Sequence, residues 1–115
     1  MLTITGSNVT IMVKNMDSSI SFYESVGLTL QNRWENHYAM ATAEGITIGI
    51  HPANENSNLT SGSLSIGFMI KTIQEATVLL DNNSISYNRE DGKSGIYLHF
   101  KDPDGTALYF VEPKW

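Results

Sequence analysis

The chain has 115 residues and a mass of 12.7 kDa, 41% of it hydrophobic and 17% charged, with seven Lys and Arg against twelve Asp and Glu for a net charge of −5. A chain of this size buries roughly 66% of its unfolded surface, enough for one core and too little for two independent domains. The composition excludes disorder, the acidic balance excludes the basic face that nucleic acid requires, the absence of cysteine excludes a disulfide framework or a Cys-based zinc site, and no run nears the roughly 18 apolar residues of a membrane helix.

Met1 to Gly6 has neither a basic start nor an apolar run, so no secretory signal is expected and the cytoplasm is the expected compartment. Val9, Ile11 and Val13 then alternate with Asn8, Thr10 and Met12, as in a half-buried strand. Asp17 reads as a helix N-cap, Met16, Ile20 and Tyr23 recur at helical spacing, and Gly27 is a natural stop. Leu28 to Trp34, Tyr38 to Ala43 and Ile46 to His51 read as three strands separated by short turns. Pro52 to Gly62, with Asn54, Asn56 and Asn58, reads as a connecting loop.

The same order then returns. Leu64 to Ile70 alternates; Thr72 and Glu75 fit a capping box ahead of the stripe Ile73, Ala76 and Leu80. Ile85 to Arg89, Gly95 to Lys101 and Thr106 to Glu112 read as three more strands, the last two joined by Asp102-Pro103-Asp104-Gly105, whose Asp, Pro and Gly suit a type I turn. At one offset Asn8 matches Ser65, Val13 matches Ile70 and Leu28 matches Ile85; beyond the Asp91 to Ser94 turn His37 matches Tyr97, Gly45 matches Gly105 and Gly49 matches Tyr109. The chain is thus expected to be an internal repeat of a βαβββ unit. Module 1 spans about 1–53, the loop 54–62 and module 2 about 63–115.

Strand parity separates two faces. One is apolar throughout, for example Ile46, Ile48 and Ile50, and suits the cover of an amphipathic helix. The other carries small, weakly polar or aromatic residues such as Thr47, Gly49, His51, Ser65, Gly67, Tyr97, His99 and Tyr109, with Lys101 as its one charge at a strand end. A solvated sheet face normally carries Lys and Glu. This one is composed like the lining of a ligand-binding cup, or else like a face buried in a dimer interface.

The βαβββ-βαβββ order, the segment Asn15-Met16-Asp17-Ser18-Ser19-Ile20-Ser21-Phe22-Tyr23 and the Asp102-Pro103-Asp104-Gly105 turn resemble the vicinal oxygen chelate superfamily of glyoxalases, extradiol dioxygenases, fosfomycin-resistance enzymes and bleomycin-resistance proteins. The resemblance covers about Asn8 to Pro113. It implies an α+β fold in a single domain over 1–115: two βαβββ modules whose curved mixed sheets form a concave cup, with helices on the convex side. It also implies a homodimer. In the metal-dependent members, one ligand each comes from the first, fourth, fifth and eighth strands, usually His, Gln or Glu. The matching positions here are Asn8, Gly49, Ser65 and Tyr109, none a typical ligand, so no metal is expected at the usual place and no cofactor is implied.

The expected ligand-binding residues are Asn8, Trp34, His37, Gly49, His51, Ser65, Tyr97, His99 and Tyr109. His99 shares the parity of Tyr97 and lies beside Tyr109; it is either a ligand contact or, near neutral pH, an acid or base. His51 lies near the rim and reads equally as an exposed loop-edge histidine. His37 follows Tyr97 by the repeat. Trp34, Tyr38, Tyr97 and Tyr109 offer aromatic contact to a planar ligand, and Gly49 and Gly67 leave room for one, or else mark a bulge. The functional expectation is a metal-independent small-molecule-binding protein of the glyoxalase/bleomycin-resistance type, with drug binding or sequestration as one role and a cationic or aromatic ligand. The alternatives are a lyase or dioxygenase-type enzyme with an atypical metal site and a metal-free enzyme using His99. No nucleic acid or membrane partner is expected.

Overall fold

Why the first five strand residues pair as they do is visible in their burial. In the computed structural model, which describes residues 3, 5, 7–53 and 64–115, Ile11 and Val13 are buried while Met12 between them is 48% exposed. This strand, β1 (Val9–Val13), leads into α1 (Met16–Ser25), β2 (Thr29–Trp34), β3 (Tyr38–Ala43) and β4 (Ile46–Pro52). The order repeats as β5 (Ser65–Met69), α2 (Ile73–Asn82), β6 (Asn88–Asp91), β7 (Gly95–Lys101) and β8 (Ala107–Pro113). The chain divides into two compact units, Met1–Leu59 and Thr60–Trp115. The division falls within the stretch read as a loop, 54–62, which lies outside the described residues.

Each unit is a four-stranded mixed sheet with one helix packed on it, so the chain is α+β with two βαβββ modules, as the sequence predicts. The orders are β1-β4-β3-β2 and β5-β8-β7-β6. In both, the first strand runs parallel to the last, pairing Val9 with Ile48 and Ser65 with Ala107, and the other neighbours are antiparallel. The helix α1 covers β2, β3 and β4 with Met16, Ile20 and Tyr23, above Ile48 and Ile50. In the second unit α2 lays Ile73, Ala76 and Leu80 over β7 and β8, above Leu98 and Leu108. Burying an aliphatic or aromatic side chain of this size is worth about 1.5–3 kcal/mol, so these stripes hold each helix to its sheet.

The helix ends obey local rules. Asn15, not Asp17, caps α1: its side-chain oxygen accepts from the Ser18 N–H at 2.9 Å, and Asp17 lies inside the first turn, where its charge faces the helix dipole. Thr72 caps α2 as expected, accepting from the Glu75 N–H at 3.4 Å, and Glu112 on β8 accepts from the Ile73 N–H at 2.9 Å. Both helices close in a Schellman motif. Leu28 N–H bonds the Tyr23 carbonyl and Gly27 N–H that of Glu24; Ile85 and Ser84 repeat this with Leu80 and Asp81. The left-handed residue is Gly27 (φ 112°) in the first unit but Ser84 (φ 56°) in the second.

That closure corrects one boundary. Ile85 belongs to the end of α2, so the strand expected over Ile85 to Arg89 starts at Asn88 and continues to Asp91. The Asp102 turn forms as expected, with Gly105 N–H bonded to the Asp102 carbonyl at 3.0 Å. The Asp102 side chain, 5% exposed as a residue, accepts from the backbone N–H of Asp104 at 3.0 Å and of Thr106 at 2.8 Å. No helix among the described residues is long and apolar enough to cross a membrane.

Candidate functional site

Each sheet has one face under its helix and one without. The helix-free face of the first unit is organised by Tyr38 at the start of β3. Its ring stacks on Trp34 of β2, with centroids 5.9 Å apart and planes at 30°, and is tilted against His51 of β4 at 6.5 Å. Its hydroxyl accepts from Asn8 Nδ2 at 3.3 Å and shares a hydrogen bond with Thr10 Oγ1 at 3.2 Å. Trp34 is 50% exposed. His51 is exposed, and its Nδ1 sits 2.7 Å from the Pro52 carbonyl; because a carbonyl only accepts, Nδ1 carries the proton and Nε2 is left as an acceptor. Beside these residues Ser7, Asn8, Gln31, Met40 and Thr47 line an open depression of about 400 Å³. Gln31 is the extra residue of a bulge between Leu30 and Asn32, where β2 shifts its pairing with β3.

The room expected above Gly49 is taken. A Cβ there would meet the Tyr38 hydroxyl, and would lie 2.7 Å from both Tyr38 Cζ and Thr10 Oγ1. Glycine is required at this point because the tyrosine lies directly over the strand. Gly67 on β5 is covered in the same way by the ring of Tyr109. The small residues read as space for a ligand are thus seats for two tyrosines.

The helix-free face of the second unit carries a cluster of three rings. Tyr97 and His99, two apart on β7, lie nearly parallel (8°) at 5.8 Å, and Tyr109 of β8 is tilted against them at 5.7 and 6.0 Å. Tyr109 sits directly opposite His99 in the β7–β8 register. The Tyr97 hydroxyl is hydrogen-bonded to Ser94 Oγ at 2.7 Å. His99 Nε2 lies 2.8 Å from Glu90 Oε1. The carboxylate accepts, so Nε2 donates, and in the neutral ring Nδ1 is the acceptor. Ser65 opens β5 on this face and is exposed, and Met69 at its end is 71% exposed.

His37 is elsewhere. It occupies the turn between β2 and β3 with its side chain in solvent, 3.9 Å from the equally exposed Glu35, and its N–H bonds the Trp34 carbonyl. The repeat explains why. Met40 pairs with Gly49 and His99 with Tyr109, so the residue equivalent to Tyr97 is Tyr38, one place after His37. Arg33 shapes that turn, donating to the Glu35 carbonyl and to Asn36 Oδ1 while pairing with Asp17 of α1 at 2.8 Å.

Glu90 falls outside the strand expected over Ile85 to Arg89, because the strand formed is Asn88–Asp91. The signal was indirect: a glutamate on an antiparallel partner of the His99 strand. Away from both faces, the Tyr87 phenol pKa is raised, first by its hydrogen bond to the Asp81 carboxylate, then by burial and the charge of that group.

The four strand positions that carry metal ligands in the resembled superfamily do not suit a divalent ion here. Gly49 has no donor and lies beneath Tyr38; the Asn8 amide is engaged by the same hydroxyl; Ser65 offers a neutral hydroxyl; the Tyr109 ring rests on Gly67. Transition-metal and zinc sites use imidazole, thiolate or carboxylate donors. Among the described residues no three His, Asp or Glu side chains gather as a metal-binding group.

No family model matches the sequence, and no curated protein matches it. Solved structures do. The glyoxylase/bleomycin resistance protein/dioxygenase domain from Frankia sp. EAN1pec superposes with a TM-score of 0.76 at 17% identity, over 97% of this chain and 100% of that one. The fosfomycin resistance protein FosX from Listeria monocytogenes gives 0.79 at 17% identity, over 97% and 96%. A bleomycin-binding protein complexed with bleomycin gives 0.71 at 14% identity, over 96% and 100%. At these identities the likeness is one of fold.

Proposed function

We propose that this chain, whose fold is that of the vicinal oxygen chelate proteins, binds a small molecule without the help of a metal ion. The observation that carries the reading is the replacement of the metal-ligand positions: Tyr38, held by Asn8 and Thr10, lies over Gly49, and Tyr109 lies over Gly67. Hydroxyls and ring faces stand where imidazoles and carboxylates would be needed. Such groups bind organic ligands by hydrogen bonding and stacking. The structural neighbour complexed with bleomycin supports drug binding or sequestration as the role. In this reading each helix-free face offers its own contacts, Asn8, Trp34 and His51 on that of the first unit and Ser65, Tyr97, His99 and Tyr109 on that of the second. The 115 residues act as one domain, as a homodimer in the cytoplasm.

The test is metal content by elemental analysis on untagged protein purified without chelator, then after anaerobic incubation with Fe, Mn, Co, Ni and Zn. Less than about a tenth of an equivalent of each metal is the expected result. Near one equivalent, lost on replacing His99 or His51, would overturn the reading in favour of a lyase or dioxygenase-type enzyme with a displaced metal site.

A second reading rests on the Glu90–His99 hydrogen bond, which holds the imidazole with Nδ1 as the acceptor, the arrangement of a general base. In a metal-free enzyme of this kind His99→Ala abolishes turnover and leaves ligand affinity nearly intact. In the binder it lowers affinity.

A further inference from the structure

Glu90 brings a negative charge to a face of hydroxyls, methyls and rings that otherwise carries Lys101 at one strand end. It lies on β6 opposite Tyr97, and one oxygen accepts a hydrogen bond from His99 Nε2–H at 2.8 Å. A carboxylate has about four acceptor sites, so that bond leaves acceptor capacity. With the imidazole neutral, the pair keeps the full negative charge of Glu90. Next to it stand the faces of Tyr97, His99 and Tyr109, with neighbouring centroids 5.7 to 6.0 Å apart. Aromatic faces attract cations through the ring quadrupole. The cation on the same strand parity, Lys101, pairs with Ala107 at the other end of β7. It stands four residues of strand, about 13 Å, from Tyr97 and two residues, about 7 Å, from His99, so its charge is only partly screened from the pole at moderate salt. At the Tyr97 end Lys93 lies in the β6–β7 turn and Lys114 Nζ donates to the Gly92 carbonyl at 2.9 Å, so the negative charge offered to a ligand is that of the Glu90 carboxylate at its His99 contact, with the net charge of −5 acting in the same direction.

We propose that Glu90, with His99, Tyr97 and Tyr109, forms the recognition pole for a planar organic cation, such as a charged aromatic heterocycle. The ring stacks against the aromatic cluster and its positive charge faces the carboxylate. The proposal rests on the small-molecule reading of this face and adds the class of ligand. The pole is at the surface, with side-chain exposures of 46% for His99 and 62% for Glu90, so its electrostatic preference is modest and depends on salt.

The experiment uses two probes of nearly equal shape, N-methylquinolinium, a fixed cation, and 2-methylquinoline, neutral at mildly alkaline pH. Both are titrated calorimetrically into the full chain at low salt. The cation is expected to bind about tenfold more tightly than the neutral ring. Glu90→Gln, checked for native circular dichroism, is expected to bring the two within about twofold by weakening the cation alone, and salt at ~1 M to do the same in the unaltered protein. Equal affinity for both probes, or a preference that survives Glu90→Gln, overturns the proposal. If both bind equally and Tyr97→Ala weakens both, the cation pole falls while the small-molecule reading stands. If neither binds, the proposal falls, and a neutral-fragment screen without a hit on this face then removes the small-molecule reading too.

Discussion

Replacing Gly49 with alanine sets the geometry of the first unit's face against its energetics. An alanine Cβ at this position would lie 2.7 Å from Tyr38 Cζ and from Thr10 Oγ1, with the phenol oxygen nearer still. Non-bonded carbon atoms rest at about 3.5–4.0 Å, so the tyrosine must move outward by roughly 1 Å or leave its seat. Overpacking of this kind costs about 1–3 kcal/mol. Removing the glycine from the unfolded ensemble returns about 0.4–1 kcal/mol. The net expectation is a loss of roughly 1–2 kcal/mol, a fall in melting temperature of about 3–8 °C for a chain of this size. The decisive assay is a double-mutant cycle in urea with Tyr38→Ala. Without the ring most of the obstruction is gone, and Gly49→Ala is expected to be neutral or slightly stabilising, a coupling of about 1–3 kcal/mol. The same destabilisation in both backgrounds, within about 0.5 kcal/mol, would show that Tyr38 does not occupy the space over Gly49. The argument for a filled metal-ligand position would go with it.

Further expectations follow from single groups. Asp102→Ala removes the acceptor of the Thr106 and Asp104 amides and is expected to cost about 2–3 kcal/mol in chemical denaturation, with Asp102→Asn, which keeps an acceptor oxygen, retaining most of the stability. Ser84→Gly is expected to raise stability by about 0.5–1 kcal/mol, because serine holds the left-handed position that glycine holds at the equivalent Gly27; an unchanged or lower midpoint would contradict that cost. Asn15→Ala is expected to lose about 1 kcal/mol through the α1 cap while Asp17→Asn loses less than about 1 kcal/mol, since its partner contact is largely exposed.

What could be read from the sequence followed periodicity. Tyr38–Ala43 and Gly95–Lys101 have the bounds that their alternation predicts, and the parity of β4, β7 and β8 sorted core from helix-free face. Left-handed positions were legible where glycine holds them, at Gly27 and Gly105, and not where serine does; strand register was not legible. Nothing in Asn83-Ser84-Ile85 marks a left-handed serine, so the pattern there reads as the start of a strand and leaves Glu90 beyond its end. A single offset through the second half of the repeat puts His37 where Tyr38 belongs, because the shift between the modules arises in turns whose lengths differ, and a one-residue slip reverses the face. The tyrosines over Gly49 and Gly67 were beyond reach for a simpler reason. A glycine in a strand reads equally as space or as a seat, and only the neighbouring rotamer decides.

The strand that opens each unit finds its partner in the strand that closes it. During synthesis Val9–Val13 therefore emerges with no sheet neighbour, and α1, β2 and β3 must all leave the ribosome before Ile48 arrives beside it. Each unit is completed by its last strand, much as a clasp closes a band. A ribosome stalled between β3 and β4 would display an apolar edge with an empty flank, open to mispairing with other chains. Passage through β4 removes that edge before β5 has begun to form.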